Sequence, residues 1–210
     1  LLDTPCRTPA LTVGGSLPPA EGKHTRRHGA AATNGTTVDR SALKTDGPVT
    51  PEAFRAMMRA AGEAIAMKRD WLSELDGVIG DGDHGVTMDI GWTAVGKALD
   101  GAPGDETVTQ SCTRMAKAFL DAVGASSGPL YASAFRAAGE AVCDRLNLDA
   151  AAMVAWIEGM HEGILKRGGA APGDKTMIDA WGPAAEAAKA ALAEGAGVAA
   201  CLDAAAEGAR

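Results

Sequence analysis

A formal net charge of −7 over 210 residues, 46% of them hydrophobic and 22% charged, fits one globular domain with a tail and enough apolar chain for a core. The acidic balance argues against a general nucleic-acid or anionic-membrane binder, which needs a basic face. With no run of eighteen apolar residues and no basic-then-apolar signal at the amino terminus, no membrane span is expected, and the expected location is cytoplasmic.

Residues 1–47 read as a flexible tail or interdomain linker. They are rich in Gly, Pro, Thr and Ala, and hold four acids against six Lys or Arg, so the rest of the chain is the acidic part. The basic stretch Lys23–His28 reads as a solvated tether rather than a contact for metal or nucleic acid. From Thr50 the signals are helical: Thr50 as cap, Pro51 at the first helical position and Glu52 against the dipole. Phe54, Met57, Met58, Ala61, Ile65, Leu72 and Leu75 recur at helical spacing, which predicts one long first helix. Further helices are predicted over Met88–Leu99, Val108–Phe119, Pro129–Val142, Met153–Ile164, Trp181–Leu192 and Val198–Ala206, with no strand. Aromatic residues make up only 4% of the chain and Ala is the commonest residue, which favours helices packed through small side chains. About seven helices joined by Gly-rich loops imply an all-α bundle or helical barrel. Cys6, Cys112, Cys143 and Cys201 show no C-x-x-C spacing and read as buried or inert thiols.

The densest chemistry lies in Leu75-Asp76-Gly77-Val78-Ile79-Gly80-Asp81-Gly82-Asp83-His84-Gly85. Asp76, Asp81 and Asp83 are spaced five and two apart, and carboxylates that close repel unless a cation separates them. Hard oxygen donors without a nearby Cys favour Mg²⁺. Gly80 to Gly85 also fits G-x-G-x-x-G, but helical sequence rather than a strand precedes it, against a dinucleotide fingerprint. Gly168 to Thr176 approaches a P-loop, except that Asp174 intrudes before Lys175. An EF-hand fails for want of a Glu closing a twelve-residue loop. Two further loops, Gly124-Ala125-Ser126-Ser127-Gly128-Pro129 and Gly173-Asp174-Lys175-Thr176-Met177, each precede helical sequence. In an up-down bundle these three loops share one end, where helix N-terminal amides are expected to meet phosphate oxygens. His161 reads as an ordinary histidine, and Lys175 as either a phosphate contact or a partner of Asp174 or Asp179.

Taken in order, Leu75-Asp76-x-x-Ile79-Gly80-Asp81-Gly82-Asp83-His84-Gly85, Gly124-x-x-Ser127-Gly128-Pro129-Leu130-Tyr131 and Pro172-Gly173-Asp174-Lys175-Thr176-Met177-Ile178-Asp179 resemble the L subunit, or DAK2 domain, of dihydroxyacetone (glycerone) kinases. The resemblance covers roughly residues 50 to 210. It implies an all-α, antiparallel, eight-helix DhaL-like barrel over residues 48–210 that holds ATP or ADP. Two Mg²⁺ ions are implied on Asp76, Asp81 and Asp83. The implied nucleotide positions are His84, Gly85, Thr87, Ser126, Ser127, Gly128, Gly168, Thr176 and Met177.

The implied activity is phosphotransfer to a hydroxyl of dihydroxyacetone or another short ketose. That substrate is held on a separate K-type domain, fused or free, through which the protein would also dimerise. Leu1 to Leu11 is similar to the end of such a domain, which makes residues 12–47 an interdomain linker and the donor ATP. The alternatives are an L subunit that retains ADP and is recharged by a phosphoenolpyruvate-dependent phosphotransferase partner, or a non-catalytic metal- or nucleotide-binding regulatory module. Ala125 stands where the family has a second Gly. The resemblance also implies a last helix and a closing loop beyond Arg210, so the domain reads as C-terminally incomplete.

Overall fold

The computed structural model describes residues 47–143 and 145–210. The tail or linker reading of residues 1–47, the Lys23–His28 stretch and Cys6 therefore lie outside the described residues, apart from Gly47 at the boundary.

Eight helices follow one another: α1 (Pro51–Met67), α2 (Arg69–Asp76), α3 (His84–Asp100), α4 (Val108–Ala122), α5 (Ser127–Ala141), α6 (Ala150–Gly168), α7 (Ile178–Ala193) and α8 (Val198–Gly208). Among the described residues, an isolated antiparallel bridge between Val49 and Leu148 is the only β pairing. It ties the chain ahead of α1 to the turn between α5 and α6. The helix starts carry local signals. Thr50 Oγ1 accepts from Ala53 N–H at 3.2 Å, with Pro51 at the first position. Thr107 and Gln110 form a reciprocal capping box on α4, and Asp149 caps α6 through Ala152 N–H at 2.8 Å. Each satisfies amides that a helix start leaves without partners.

Two expectations about the architecture change. The single long first helix is broken at Lys68, whose φ of −104° and ψ of 5° end α1. Helix α2 buries no residue, so no core packing holds it in line with α1, and it lies against α3 instead. The described residues therefore form eight helices rather than about seven, and the expected absence of a last helix is not supported: α8 packs on α7 and, to a lesser extent, α6. What is established is an all-α bundle in which α3 to α8 each pack on the next. A closed barrel is not.

Nearly all the aromatic side chains lie in the core. Trp92 meets Phe135 and Phe119 edge-on, with centroids 5.9 and 6.4 Å apart, and Phe54 meets Trp156 edge-on at 5.6 Å, geometries that suit the ring quadrupoles. Helices α5 and α6 approach closely because α6 turns glycines toward α5. A Cβ on Gly159 would lie 2.6 Å from Ala138 Cα, and one on Gly163 2.5 Å from Ser133 O. A partly buried ionic network centres on Glu106. Glu106 accepts from Ser111 Oγ at 3.0 Å and from Arg114 Nη2 at 2.6 Å, while Arg55 Nη1 donates to the Glu106 carbonyl at 3.4 Å. Burial pushes the Glu106 carboxyl up, but the hydrogen bonds and charges of Arg114, Ser111 and Arg55 outweigh it, and the group sits below the usual range. Cys112 and Cys201 are buried thiols, and burial pushes Cys112 up to about 12. Cys143, read from sequence as a buried or inert thiol, lies past the end of α5 and is exposed. No described helix is long and apolar enough to cross a membrane.

Candidate functional site

The three loops singled out in the sequence join α2 to α3, α4 to α5 and α6 to α7. Residues from all three line one hollow of about 300 Å³.

Asp76 closes α2 and Asp83 precedes α3. One ligand-capable oxygen from each of Asp76, Asp81 and Asp83 lies within 4.8 Å of the others. Asp76 Oδ2 is already engaged, accepting from Gly82 N–H at 3.0 Å and His84 N–H at 3.3 Å. These bonds fold the loop back on the end of α2, and Gly82 provides the left-handed turn they need, with φ +76°. The other oxygen, Oδ1, faces Gly80, where any Cβ would collide with it. Glycine there keeps that oxygen uncovered. At the base of the loop Gly85 N–H donates to Ser73 Oγ at 3.1 Å. A Cβ on Gly85 would run into the Arg69 carbonyl, so this glycine sets how closely α3 packs on α2.

Desolvation, followed by the charges of Asp81 and Asp76, pushes the Asp83 carboxyl above the usual range against a smaller opposing pull from His84. Three hard, mutually repelling oxygen donors fit a divalent cation of the Mg²⁺ class. His84 and Thr87, on the first turn of α3, extend the wall beside them.

Ala125, Ser126, Ser127 and Leu130 form the facing wall, and Met177 closes it from the third loop. Ser127 Oγ is buried without a hydrogen-bond partner. A buried hydroxyl left unpaired is costly, and a polar ligand atom in the hollow would satisfy it. Helices α3, α5 and α7 all begin at this hollow, through His84, Ser127 and the cap residue Met177. Three positive helix ends at one place favour an anion.

Of the candidate residues, Asp76, Asp81, Asp83, His84, Thr87, Ser126, Ser127 and Met177 line the hollow. Gly85, Gly128, Gly168 and Thr176 do not. Gly128 lets the start of α5 pass the Val123 carbonyl, and Gly168 sits behind Leu130, whose Cδ2 lies 3.1 Å from a Cβ placed there. Thr176 Oγ1 accepts from Ile178 N–H at 3.3 Å, at the start of α7. Ala125 and Leu130 were not among the candidates. Both stand inside the serine-loop motif, which was the available signal. The three loops also differ in donors. The amides of Gly82 and His84 are held by Asp76, and those of Gly173 and Thr176 by Asp179. Among the described residues, the amides of Ser126 and Ser127 give no bond to a backbone carbonyl. The serine loop therefore keeps both of these amides for a ligand. A larger open groove of about 820 Å³ runs along α4, and four of its charged side chains pair internally, Arg114 with Glu106 and Lys117 with Asp121.

Residues 78–210 match the DAK2 domain model. The ADP-binding subunit DhaL of PEP-dependent dihydroxyacetone kinase 1 from Listeria innocua is 41% identical over 127 residues, covering 60% of this chain and 63% of that protein. The D-erythrulose kinase of Mycolicibacterium smegmatis is 31% identical over 185 residues, 87% of this chain and 32% of that protein. The crystal structure of the dihydroxyacetone kinase from C. freundii in complex with AMP-PNP and Mg²⁺ superposes with a TM-score of 0.61 at 25% identity, covering 91% of this chain and 33% of that one. The chain thus spans less than two thirds of these proteins. One expectation is overturned here. The chain was expected to be an enzyme of the phosphotransferase class, with catalysis completed by a K-type domain, but the subunits it matches are named as ADP-binding components of a kinase. Motif order, an all-α bundle and a model match over more than half the sequence agree: the chain belongs to the DAK2 domain family.

Proposed function

We propose that residues 48–210 are the nucleotide-binding component of a kinase system for dihydroxyacetone or another short ketose, holding ADP or ATP through magnesium on Asp76, Asp81 and Asp83. The observation that carries this reading is the meeting of three carboxylates with three helix N-termini and an orphaned Ser127 hydroxyl around one hollow. Carboxylates alone would repel a phosphate chain, and helix ends alone would not select a metal. Together they suit a magnesium–diphosphate unit, with Asp76, Asp81 and Asp83 facing the cation and the serine loop facing the phosphate oxygens. Bound magnesium, as two ions in the full reading, would neutralise phosphate charge and align the transferred group. The names of the ADP-binding subunits, and of the kinase solved with AMP-PNP and Mg²⁺, support the ligand class.

Within this reading the ketose is carried by a different, K-type domain that must reach the hollow. The surface beside it suits such a partner. Ile79 is 98% exposed and Val78 77% exposed at the tip of the acidic loop, with Trp71 and Leu75 half-exposed along α2. An apolar ridge at the mouth of a phosphate site favours a protein surface as its cover. Whether that domain is a separate subunit or fused is a further choice. The separate subunit is the main reading. The fused arrangement, with residues 1–47 as linker, is the second, favoured by the match to D-erythrulose kinase over 87% of the chain, a span longer than residues 48–210.

Calorimetric titration of ADP with Mg²⁺, with EDTA, and into Asp81→Asn tests the proposal. Affinity should fall at least about tenfold in the second and third cases. Equal binding in all three would refute the metal bridge, and no binding in any would refute the nucleotide site.

A further inference from the structure

Asp179 lies in the first turn of α7, two residues after Met177, yet its carboxylate is turned back onto the preceding loop. Oδ1 accepts from Gly173 N–H at 2.5 Å and Oδ2 from Thr176 N–H at 3.0 Å. The Lys175 amide adds a lesser bond, and these bonds, led by that from Gly173, hold the carboxyl below its usual range. Backbone amides converging in this way form an anion-binding concavity. Here a side chain of the same protein fills it.

The loop needs such a clamp. Gly173 has φ +94° and Lys175 φ +57°, and the second is a left-handed conformation that a residue with a Cβ adopts only at a cost. Without the carboxylate the amides of residues 173, 175 and 176 lose their common acceptor, and the bond that Asp174 N–H gives to the Ala171 carbonyl at 3.1 Å leaves those three amides unheld. Asp174 Oδ2 holds only Ala171 N–H, at 2.8 Å. The residue after Thr176 is Met177, the one side chain of this loop that lines the hollow. A thioether with three rotatable bonds makes a defined wall only where its backbone is fixed.

We infer that Asp179 is a positioning residue for the nucleotide site: by clamping residues 173–176 it fixes Met177 as the wall facing the acidic and serine loops. This rests on the nucleotide-binding reading above. The competing account gives Asp179 a purely structural part, starting α7.

A double-mutant cycle separates the two. Asp179→Asn, Met177→Ala and the double variant are titrated with ADP in Mg²⁺, with Mn²⁺ alone followed by electron paramagnetic resonance and folding followed by circular dichroism. Each single change should weaken ADP about tenfold, while the double variant should be no weaker than the worse single one. Mn²⁺ binding to the acidic triad should stay at the wild-type level. Lys175→Gly, which takes up the left-handed turn without a Cβ, should restore part of the ADP affinity of Asp179→Asn, and this pair carries the test if Asp179→Asn alone fails to fold. Wild-type affinity in Asp179→Asn, losses that multiply in the double variant, or no recovery with Lys175→Gly would overturn the inference. Failure of the wild-type protein to bind Mg²⁺–ADP would instead overturn the functional reading, and the inference with it.

Discussion

Two glycine-to-alanine changes, alike in sequence terms, should have opposite effects on stability. In a helix interior Ala is favoured over Gly by about 1 kcal/mol. Gly96 in α3 has nothing within 4 Å of an added Cβ, so Gly96→Ala should gain most of that amount. Gly163 in α6 is different. An added Cβ would stand 2.5 Å from Ser133 O and 2.7 Å from Ala134 Cα, roughly 1 Å inside ordinary contact. Those neighbours are backbone and cannot rotate away, so α5 itself must shift. Overpacking of this kind costs about 1–3 kcal/mol, and backbone neighbours put Gly163→Ala at the upper end. After the propensity gain the net loss is about 2 kcal/mol, a fall in Tm of roughly 4–8 °C. Because α5 carries Ser127 and Leu130 into the hollow, the same shift should weaken ADP binding, whereas Gly96→Ala should leave it alone. Urea denaturation of the three proteins, with matched ADP titrations, measures both effects. If Gly163→Ala proves as stable as Gly96→Ala, the packing of α5 on α6 is looser than described and the reasoning fails.

Ser127→Ala removes a buried hydroxyl without a partner, so the ligand-free protein should be as stable as wild type or more so while ADP affinity drops; a less stable apo protein would mean that the hydroxyl has an internal partner. Glu106 gives a pH signature. Its folded carboxyl lies below the ordinary value of 4.5, so its contribution is present above that value and lost as pH falls through the folded one. Glu106→Gln should cost about 2 kcal/mol at neutral pH and flatten the decline of stability below pH 4.5, read from urea midpoints across pH; parallel curves would contradict this. At the rim, Ile79→Asp should abolish binding of a K-type domain, measured by calorimetry, yet leave ADP affinity within about twofold; unchanged partner binding would move the docking face elsewhere.

The sequence announced most of the helices because their signals are local. Thr50-Pro51-Glu52 and the spacing of Phe54, Met58 and Ile65 act within a turn or two. The break at Lys68 carried no Gly or Pro to mark it. Leu72 and Leu75 continue the apolar period past it, yet α2 buries no residue and Leu75 is half-exposed, so where the helix breaks is decided by tertiary packing. The association of the three loops was legible for a similar reason. Antiparallel neighbours put alternate loops at one end, so counting helices was enough even though the count was one short. Splitting the first helix moves every loop by one place and leaves their common end unchanged.

Which groups remain available inside that site was not legible. All three loops looked alike in sequence, each a Gly-rich stretch ahead of a helix and each a candidate anion cradle. In the folded chain two of them hold carboxylates of their own: Asp76 takes the amides of Gly82 and His84, and Asp179 those of Gly173 and Thr176. No spacing rule distinguishes a carboxylate that turns outward to a cation from one that turns inward to its own loop, since both fit a short acidic turn. The difference is set by side-chain direction. Asp81 and Asp83 stay exposed beside Asp76, while Asp179 is bound on both oxygens. The acidic loop is therefore suited to a metal, the third loop is a braced wall, and the serine loop, whose buried hydroxyl lacks a partner, is best placed to meet a phosphate.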